Sequence, residues 1–190
     1  MENIVTPEER KVLLQIARDA IAEAVGLEEN RTKKSPGGNL SLKRGCFVTI
    51  KMHGRLRGCI GVFKSEKPLH ATVRDMAMAA ATKDPRFYPL TRKELGDIEL
   101  EISILSPLKK INSVDEIQVG VHGIYIEKNM FRGVLLPQVA VEQGWDRTTF
   151  LEQTCLKAGL ETDAWKNEAD IYIFSAQIFG DHQHAPAARP

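Results

Sequence analysis

The stretch "GRLRGCIGVF", Gly54 to Phe63, decides the fold of the first half of this chain. It follows "CFVTIKM" after a single intervening residue, His53. An X-Gly pair between two β-prone runs is typical of a tight two-residue turn. We therefore predict a β-hairpin in which His53 and Gly54 form the turn.

This turn sets a register for the two strands. It pairs Ile50 with Arg57 and Val48 with Cys59, and because side chains alternate between faces it places four residues of the second strand together. These are Arg55, Arg57, Cys59 and Gly61. Cys46 is then expected diagonal to Cys59 on the same face, roughly 7–8 Å away between α-carbons, which is too far for a comfortable disulfide. Cys59 is expected to stay reduced.

Glycine is unusual inside a strand because it forfeits packing and costs backbone entropy. The turn accounts for Gly54. Gly58 and Gly61 indicate a bulge or the close approach of another backbone or a ligand. The structural alternative is a helix packed closely onto the sheet.

The composition of the chain narrows the class of protein. A length of 190 residues with 43% hydrophobic and 27% charged residues is ordinary for one globular domain. The net charge of +1 provides no global attraction to nucleic acid or anionic membrane. The N-terminus lacks the pattern of a signal peptide, so we expect a cytosolic protein. The three cysteines have no CxxC or Cys/His spacing, and we expect no metal site; no cofactor is implied by the residues.

Capping patterns and apolar periodicity place the other elements of the first half. Thr6 and Glu9 form a capping box that begins a helix ending near Gly26, and Thr91 with Glu94 forms a second one. A helical stripe from Leu69 ends at Asp84, and the segment 28–45 is predicted to be a long, mobile connection. "DIELEISIL" predicts a strand with one polar face. That face carries Glu99, Glu101 and Ser103.

The second half follows the same order of hairpin, two helices and strand. Both second hairpin strands contain an Arg-Gly pair, Arg57-Gly58 and Arg132-Gly133. We therefore predict an internal duplication. Residues 181–190 are expected to form a frayed tail.

Cys59 is the candidate nucleophile. A nearby arginine favours the thiolate, although a lone cysteine is as often a small core residue. His122 could act as its base if the halves close on one another, or could be a strand-end histidine bonded to backbone. Glu101 could orient the histidine, act as a general acid or base, or form an ion pair with Arg57, which is the favoured structural alternative.

A second group of candidates lies in "KDPRFYPL", Lys83 to Leu90. Its two prolines make a rigid loop that can present the guanidinium of Arg86 to an anion. As purely structural residues, Asp84 would cap the helix and Arg86 would lie on the surface.

Five strings occur in the order seen in the AMMECR domain family, which the chain resembles over roughly residues 6–180. They are "LRGCIG" at 56–61, "DPRFYPL" at 84–90, "LEISIL" at 100–105, "GVHGIYI" and "LLPQVAVEQGW". In prokaryotes the family is also called AmmeMemoRadiSam system protein A. The resemblance implies an α+β fold in which duplicated hairpin, helix-pair and strand units share one mainly antiparallel, barrel-like sheet. It also implies a single AMMECR domain over 1–180, with subdomains at roughly 1–108 and 109–180.

The resemblance implies functional neighbours and sites as well. Genes of the family often neighbour those of a Memo-like protein and a radical SAM enzyme, which are the expected partners. The matching motif positions are those expected to bind substrate, Arg57, Gly58, Asp84, Arg86 and Phe87, and the catalytic candidates Cys59, Glu101 and His122.

Three functions follow as hypotheses. The first is an enzyme or substrate-handling component whose pocket uses Cys59, Glu101 and His122. The second is a non-catalytic adaptor that docks a partner through the "LRGCIG" face. The third is a weak nucleic-acid-binding module, whose affinity would fall steeply with salt.

Overall fold

The computed structural model describes residues 4–27, 37–167 and 169–181, and these form a mixed α and β structure. Its α-helices are α1 (Pro7–Ala24), α2 (Leu69–Thr82), α3 (Pro137–Glu142) and α4 (Arg147–Lys157). Its strands are β1 (Cys46–Met52), β2 (Arg55–Val62), β3 (Ile98–Leu105), β4 (Lys109–Lys110), β5 (Gly123–Lys128), β6 (Phe131–Leu135), β7 (Asp170–Phe174) and β8 (Ala176–Gly180).

The chain divides into two compact units. The second unit is Leu105–Ala176, and the first unit, in its described part, is the chain on either side of it. Each unit has its own four-stranded sheet, with strand orders β2-β1-β3-β8 and β4-β7-β5-β6. The prediction of one shared sheet is therefore wrong, and in the described part of the chain neither sheet closes into a barrel. Two sheets form because each hairpin buries its apolar face in a separate core.

The first unit packs helices on one face of its sheet. α1 begins with the predicted capping box, in which the Thr6 hydroxyl accepts the Glu9 N–H and the Glu9 side chain accepts the Thr6 N–H. α1 packs on α2, which packs on β1 and β2. The sheet face below the helices is apolar and buried, as Val48, Ile50 and Ile102 show. The opposite face of the same sheet is the polar one.

The first hairpin has the predicted turn. His53 and Gly54 have φ of 50° and 72°, as a type I′ turn requires at both central positions. β1 and β2 pair antiparallel from Met52–Arg55 onward, but the register shifts between Ile50 and Lys51. Arg57 is the extra residue of this β-bulge.

The bulge makes the predicted register wrong beyond the turn. Ile50 pairs with Gly58, and Thr49, not Val48, pairs with Cys59. Because a slip of one residue exchanges the faces of a strand, Cys59 lies on the polar face and Cys46 lies in the core. The predicted diagonal pair of cysteines is therefore wrong. All three cysteines are free, which includes Cys59, the one that was predicted to stay reduced.

Protein atoms occupy the space beside each of the two glycines inside β2. A Cβ on Gly58 would lie 2.3 Å from the Ala80 carbonyl oxygen of α2. A Cβ on Gly61 would lie 2.3 Å from Cδ1 of Phe47, the residue opposite it on β1. Gly58 thus permits the close backbone approach that the sequence predicted, and Gly61 makes room for an aromatic ring.

The predicted connection and the predicted C-terminal tail lie partly outside the described residues. Of the segment predicted to be a mobile connection, residues 28–36 lie outside the described residues, and Gly38–Ser41 form a 3₁₀ turn. The predicted tail lies outside them too, except for Asp181, whose carboxylate accepts the Leu100 N–H at 2.7 Å. None of the described helices combines the length and the apolar content that crossing a bilayer requires.

Gly58→Ala should lower the free energy of unfolding by roughly 1–3 kcal/mol, because the added methyl group overlaps a helix carbonyl that can move only with α2. Urea unfolding followed by circular dichroism measures this. Gly96→Ala is the matched control, since no heavy atom beyond the two chain neighbours lies within 4 Å of a Cβ built there. Equal stability of the two variants would contradict the close packing of α2 on β2.

Candidate functional site

The polar face of the first sheet carries a row of three side chains on neighbouring strands. Thr49 on β1 lies directly opposite Cys59 on β2 and Glu101 on β3. The Thr49 hydroxyl donates to Cys59 Sγ at 3.3 Å. All three residues are half-buried. The structure therefore brings two sequence-predicted site residues, Cys59 and Glu101, onto one face, with a hydroxyl between them.

Glu101 has a partner that the sequence did not indicate. Lys51 Nζ lies 2.9 Å from Glu101 Oε2, and the two side chains are 32% and 27% exposed. The predicted ion pair between Arg57 and Glu101 is therefore wrong. The register explains this, because Lys51 is two residues from Thr49 along β1 and so shares its face.

Arg57 instead binds the loop that follows α2. Its guanidinium donates to both carboxylate oxygens of Glu94, through Nε at 2.8 Å and Nη2 at 3.3 Å, and to the carbonyl of Tyr88 at 2.9 Å. The hydrogen bonds from Arg57 and then those from Thr91 lower the pKa of Glu94 to about 2, against the cost of burial. Glu94 belongs to the predicted second capping box, which the structure confirms around a single 3₁₀ turn.

Asp84 is the most buried charged group of this region, with only 2% of its side chain exposed. Its Oδ2 accepts the Cys59 N–H at 2.8 Å and Arg86 Nη2 at 2.7 Å, and its Oδ1 accepts Arg86 Nε at 2.9 Å. The hydrogen bonds from Arg86 are the main reason that the pKa of Asp84 is well below its usual range. The same contacts raise the pKa of Arg86.

Three consecutive residues of "LRGCIG" therefore contact α2 and the loop that follows it. Arg57 binds the loop through its side chain, Gly58 admits the α2 backbone, and Cys59 binds Asp84 through its main chain. Arg86 completes the arrangement by donating to the Cys59 carbonyl at 3.3 Å. Arg57, Gly58 and Asp84 are thus engaged within the protein, whereas the Cys59 side chain lies on the polar face.

The two remaining residues predicted to bind substrate are Arg86 and Phe87. The Arg86 side chain is 54% exposed, and its guanidinium carbon lies 5.6 Å from the centre of the Phe87 ring. The loop therefore presents a guanidinium whose charge is already paired with Asp84. A substrate-binding role for either residue stays a prediction.

His122 belongs to the second unit and is bonded to backbone. Its ring Nδ1 accepts the main-chain N–H of Gln118 at 3.2 Å, and the main-chain N–H of His122 donates to the Gln118 carbonyl at 2.9 Å. This is the structural alternative foreseen for His122, and its role as base to Cys59 stays a prediction.

The sheet of the second unit has a polar face of its own. Tyr125 and Tyr172 lie opposite one another on β5 and β7, and both hydroxyls donate to Glu127, each at 3.0 Å. Burial and the bond to Glu127 raise the pKa of Tyr125, and the bond to Glu127 raises that of Tyr172. The phenols are therefore held as hydrogen-bond donors at neutral pH.

Sequence reasoning missed Thr49, Lys51 and Phe47 as neighbours of Cys59. The signal was present in the strict alternation of "CFVTIKM", which separates these three residues from Cys46, Val48 and Ile50. Using it required placing an extra residue in β2. Without the bulge, Cys59 is assigned to the face opposite the Thr49 hydroxyl.

A family model for AMMECR1 matches residues 14–179 of the chain. The chain belongs to the AMMECR1 family. This confirms the family that the five strings indicated. The match spans both structural units, because it begins within α1 and ends within β8.

Relatives and a solved structure agree with this membership. Protein MK0488 of Methanopyrus kandleri is 41% identical, over 94% of this chain and 91% of its own length. Protein MJ0810 of Methanocaldococcus jannaschii is 47% identical over 72% of this chain and 73% of its own. The crystal structure of the uncharacterized protein PH0010 from Pyrococcus horikoshii shares 37% identity and a TM-score of 0.84, covering 93% of each chain. The fold is thus the one seen in that structure.

Asp84→Asn should lower the free energy of unfolding at pH 7 by about 2–3 kcal/mol, since it removes charged hydrogen bonds from a buried position. A carboxylate with a lowered folded pKa stabilises the protein above its unfolded pKa of about 3.9, and this stabilisation is lost as the pH falls below that value. The stability of the unmodified protein should therefore fall more steeply between about pH 4 and pH 2 than that of the variant.

Urea unfolding at a series of pH values measures both effects. Glu66→Gln is the control, because the Glu66 side chain is 92% exposed in its pair with Lys43. It should leave the pH profile unchanged. Parallel profiles for Asp84→Asn and the unmodified protein would refute the buried charge network.

Proposed function

We propose that this AMMECR1-family protein is an enzyme, or a substrate-handling component of one, in which the Cys59 thiol is the reacting group. The observation that carries the proposal is the position of that thiol on the half-buried polar face, with the Thr49 hydroxyl donating to it. A hydroxyl donor stabilises a thiolate, which is the nucleophilic form of cysteine.

The three cysteines differ in a way that supports this assignment. Cys46 and Cys155 are both fully buried. Burial raises the pKa of Cys46 to about 12, and burial is also the main cause of the raised pKa of Cys155. Cys59 is the half-buried one, which separates it from a core residue. The cytosolic location predicted from the sequence would keep its thiol reduced.

The chemistry within reach of this face is nucleophilic addition. Sγ forms a bond to an electrophilic carbon, for example a carbonyl carbon, as the thiol proton leaves to solvent. The π pair of the C=O bond moves to oxygen, which takes up a proton. Thr49 holds the sulfur, and the pair of Lys51 on β1 with Glu101 on β3 supplies a fixed dipole on the same sheet.

Native protein treated with iodoacetamide at pH 8 should acquire one adduct, on Cys59. At that pH a thiol of pKa about 12 is ionised in about one molecule in ten thousand, so Cys46 should stay unmodified. Mass spectrometry of the intact protein and its peptides counts and locates the adducts. Denatured protein should acquire three.

The same reaction tests the role of Thr49. Thr49→Val should slow the modification of Cys59 about fivefold, the effect of losing one hydrogen bond, and Thr49→Ser should restore it. Cys59→Ser, which lacks the thiol, measures the background modification of the other residues. Modification of native Cys59 as slow as that of Cys46 would reject the proposal.

A second candidate function is a docking surface for a partner protein. The loop after α2 is fixed by Arg57 and Asp84, and it presents Tyr88 with 91% exposure beside the exposed Arg86. Tyrosine and arginine on a rigid support are the residue types that dominate binding energies at protein interfaces. The partners expected for the family, a Memo-like protein and a radical SAM enzyme, are the candidates.

Tyr88→Ala should weaken binding to a purified Memo-like or radical SAM protein from the same genome at least tenfold, because it removes an exposed aromatic anchor that the complex would bury. Surface plasmon resonance with the present chain immobilised measures the affinity. Cys59→Ser is the matched control and should bind normally. The docking role fails if the serine variant loses binding while the alanine variant keeps it.

We also propose that the two units are copies of one ancestral unit within a single domain. Two sheets with the orders β2-β1-β3-β8 and β6-β5-β7-β4 support this, as do the glycines Gly58 and Gly133. A Cβ on Gly133 would lie 2.5 Å from the Thr154 carbonyl of α4, as one on Gly58 would meet α2. In this correspondence Val134 occupies the place of Cys59, so the thiol chemistry belongs to the first unit.

A further inference from the structure

We propose that the Cys59 site takes a substrate with an uncharged apolar group, aromatic or branched alkyl, next to its reacting carbon, and that Phe47 selects this group. The inference rests on the proposed reactivity of Cys59 and adds the class of substrate. It is carried by the position of one aromatic ring and by the pairing of the nearby charges.

Phe47 lies beside the row that contains the thiol. It is two residues before Thr49 on β1 and directly opposite Gly61 on β2, so its side chain lies on the same face as that of Cys59. Its ring occupies the space that a side chain at Gly61 would take, since a Cβ there would lie 2.3 Å from Cδ1. An aromatic side chain over a glycine of the neighbouring strand is a recognised way to stabilise a sheet.

The ring is held in place and still partly open. Phe63 packs edge-on against it, with the ring centres 5.0 Å apart. Phe47 is nonetheless only half-buried. Phe47 and Cys59 are diagonal neighbours on adjacent strands, with α-carbons roughly 7–8 Å apart. A small molecule whose carbon is bonded to Sγ can therefore lay an apolar group on the Phe47 ring.

The charges around the thiol disfavour an anionic group. Arg57 is paired with Glu94, Arg86 with Asp84, and Lys51 with Glu101, each at 2.9 Å or less. An anion would have to compete with a carboxylate already bound to each of these cations. An apolar group gains the burial of its surface against Phe47 without such competition. The geometry therefore favours an apolar substrate over the anionic one expected from the arginines.

Three alkylating reagents that differ in one group test the inference: iodoacetamide, iodoacetate and N-benzyl iodoacetamide. In each reaction the thiol proton leaves to solvent, Sγ bonds to the methylene carbon, and iodide leaves with the electron pair of the C–I bond. Rates on Cys59 are divided by the rates on N-acetylcysteine amide, which removes intrinsic reactivity. The benzyl reagent should then exceed iodoacetamide about fivefold, the effect of covering one face of a ring. Iodoacetate should show no advantage.

Variants assign the preference to Phe47. Phe47→Leu keeps an apolar residue in the sheet and should reduce the benzyl preference to about twofold or less. Tyr88→Leu removes another aromatic ring, one that is 91% exposed, and should keep the full preference. Because each result is a ratio of two reagents on one variant, any change in the thiol itself cancels.

The outcomes separate the two proposals. A reactive Cys59 with equal normalised rates for all three reagents, a preference for iodoacetate, or a benzyl preference that survives Phe47→Leu would overturn the selection by Phe47 and leave the thiol proposal standing. A Cys59 that reacts with none of the reagents would overturn both.

Discussion

The carboxylate of Asp84 joins the two segments on which the first unit depends. β2 is an edge strand, and an edge strand exposes backbone N–H and C=O groups that need partners. At Cys59 these partners are side chains, because Asp84 accepts the N–H and Arg86 donates to the C=O. The strings "LRGCIG" and "DPRFYPL" are thus two halves of one structural contact. The carboxylate is stable as a buried charge because Arg86 neutralises it with a two-pronged contact.

The β-bulge at Arg57 decides which chemistry the sheet presents. Sequence patterns were sufficient for the hairpin, because an X-Gly turn requires two residues that tolerate positive φ, and for the capping boxes, because these are local. They offered a bulge as one explanation of Gly58 and Gly61 but could not place it at Arg57, since an extra residue in a strand is stabilised by tertiary partners. For Arg57 these partners are Glu94 and the Tyr88 carbonyl, more than thirty residues away along the chain. One residue of slip then exchanged the faces and moved Cys46 away from Cys59.

The ion pairs of this sheet were also only partly predictable from the sequence. Sequence reasoning correctly placed Glu101 on the polar face, because "DIELEISIL" alternates without interruption. It could not choose among the cations available to that carboxylate. Lys51 is chosen because the β1–β3 register brings it alongside, whereas the bulge directs Arg57 elsewhere. The pairing of each nearby cation with its own carboxylate then changes the expected chemistry, since an arginine already bound by a carboxylate is a poor receptor for an anion.

The glycines of β2 indicated a bulge or the close approach of another backbone or a ligand, and in the structure protein atoms make the close approach at both positions. The Ala80 carbonyl fills the position beside Gly58, and the Phe47 ring fills the position beside Gly61. Both contacts affect the thiol of Cys59, which lies between the two glycines in the sequence. The helix fixes the backbone of β2 from one side of the sheet, and the ring provides an apolar surface on the other side, where Thr49 holds the sulfur. The two glycines weaken β2, but they also allow a rigid support, the α2 backbone, and an aromatic side chain, Phe47, to come close to one cysteine.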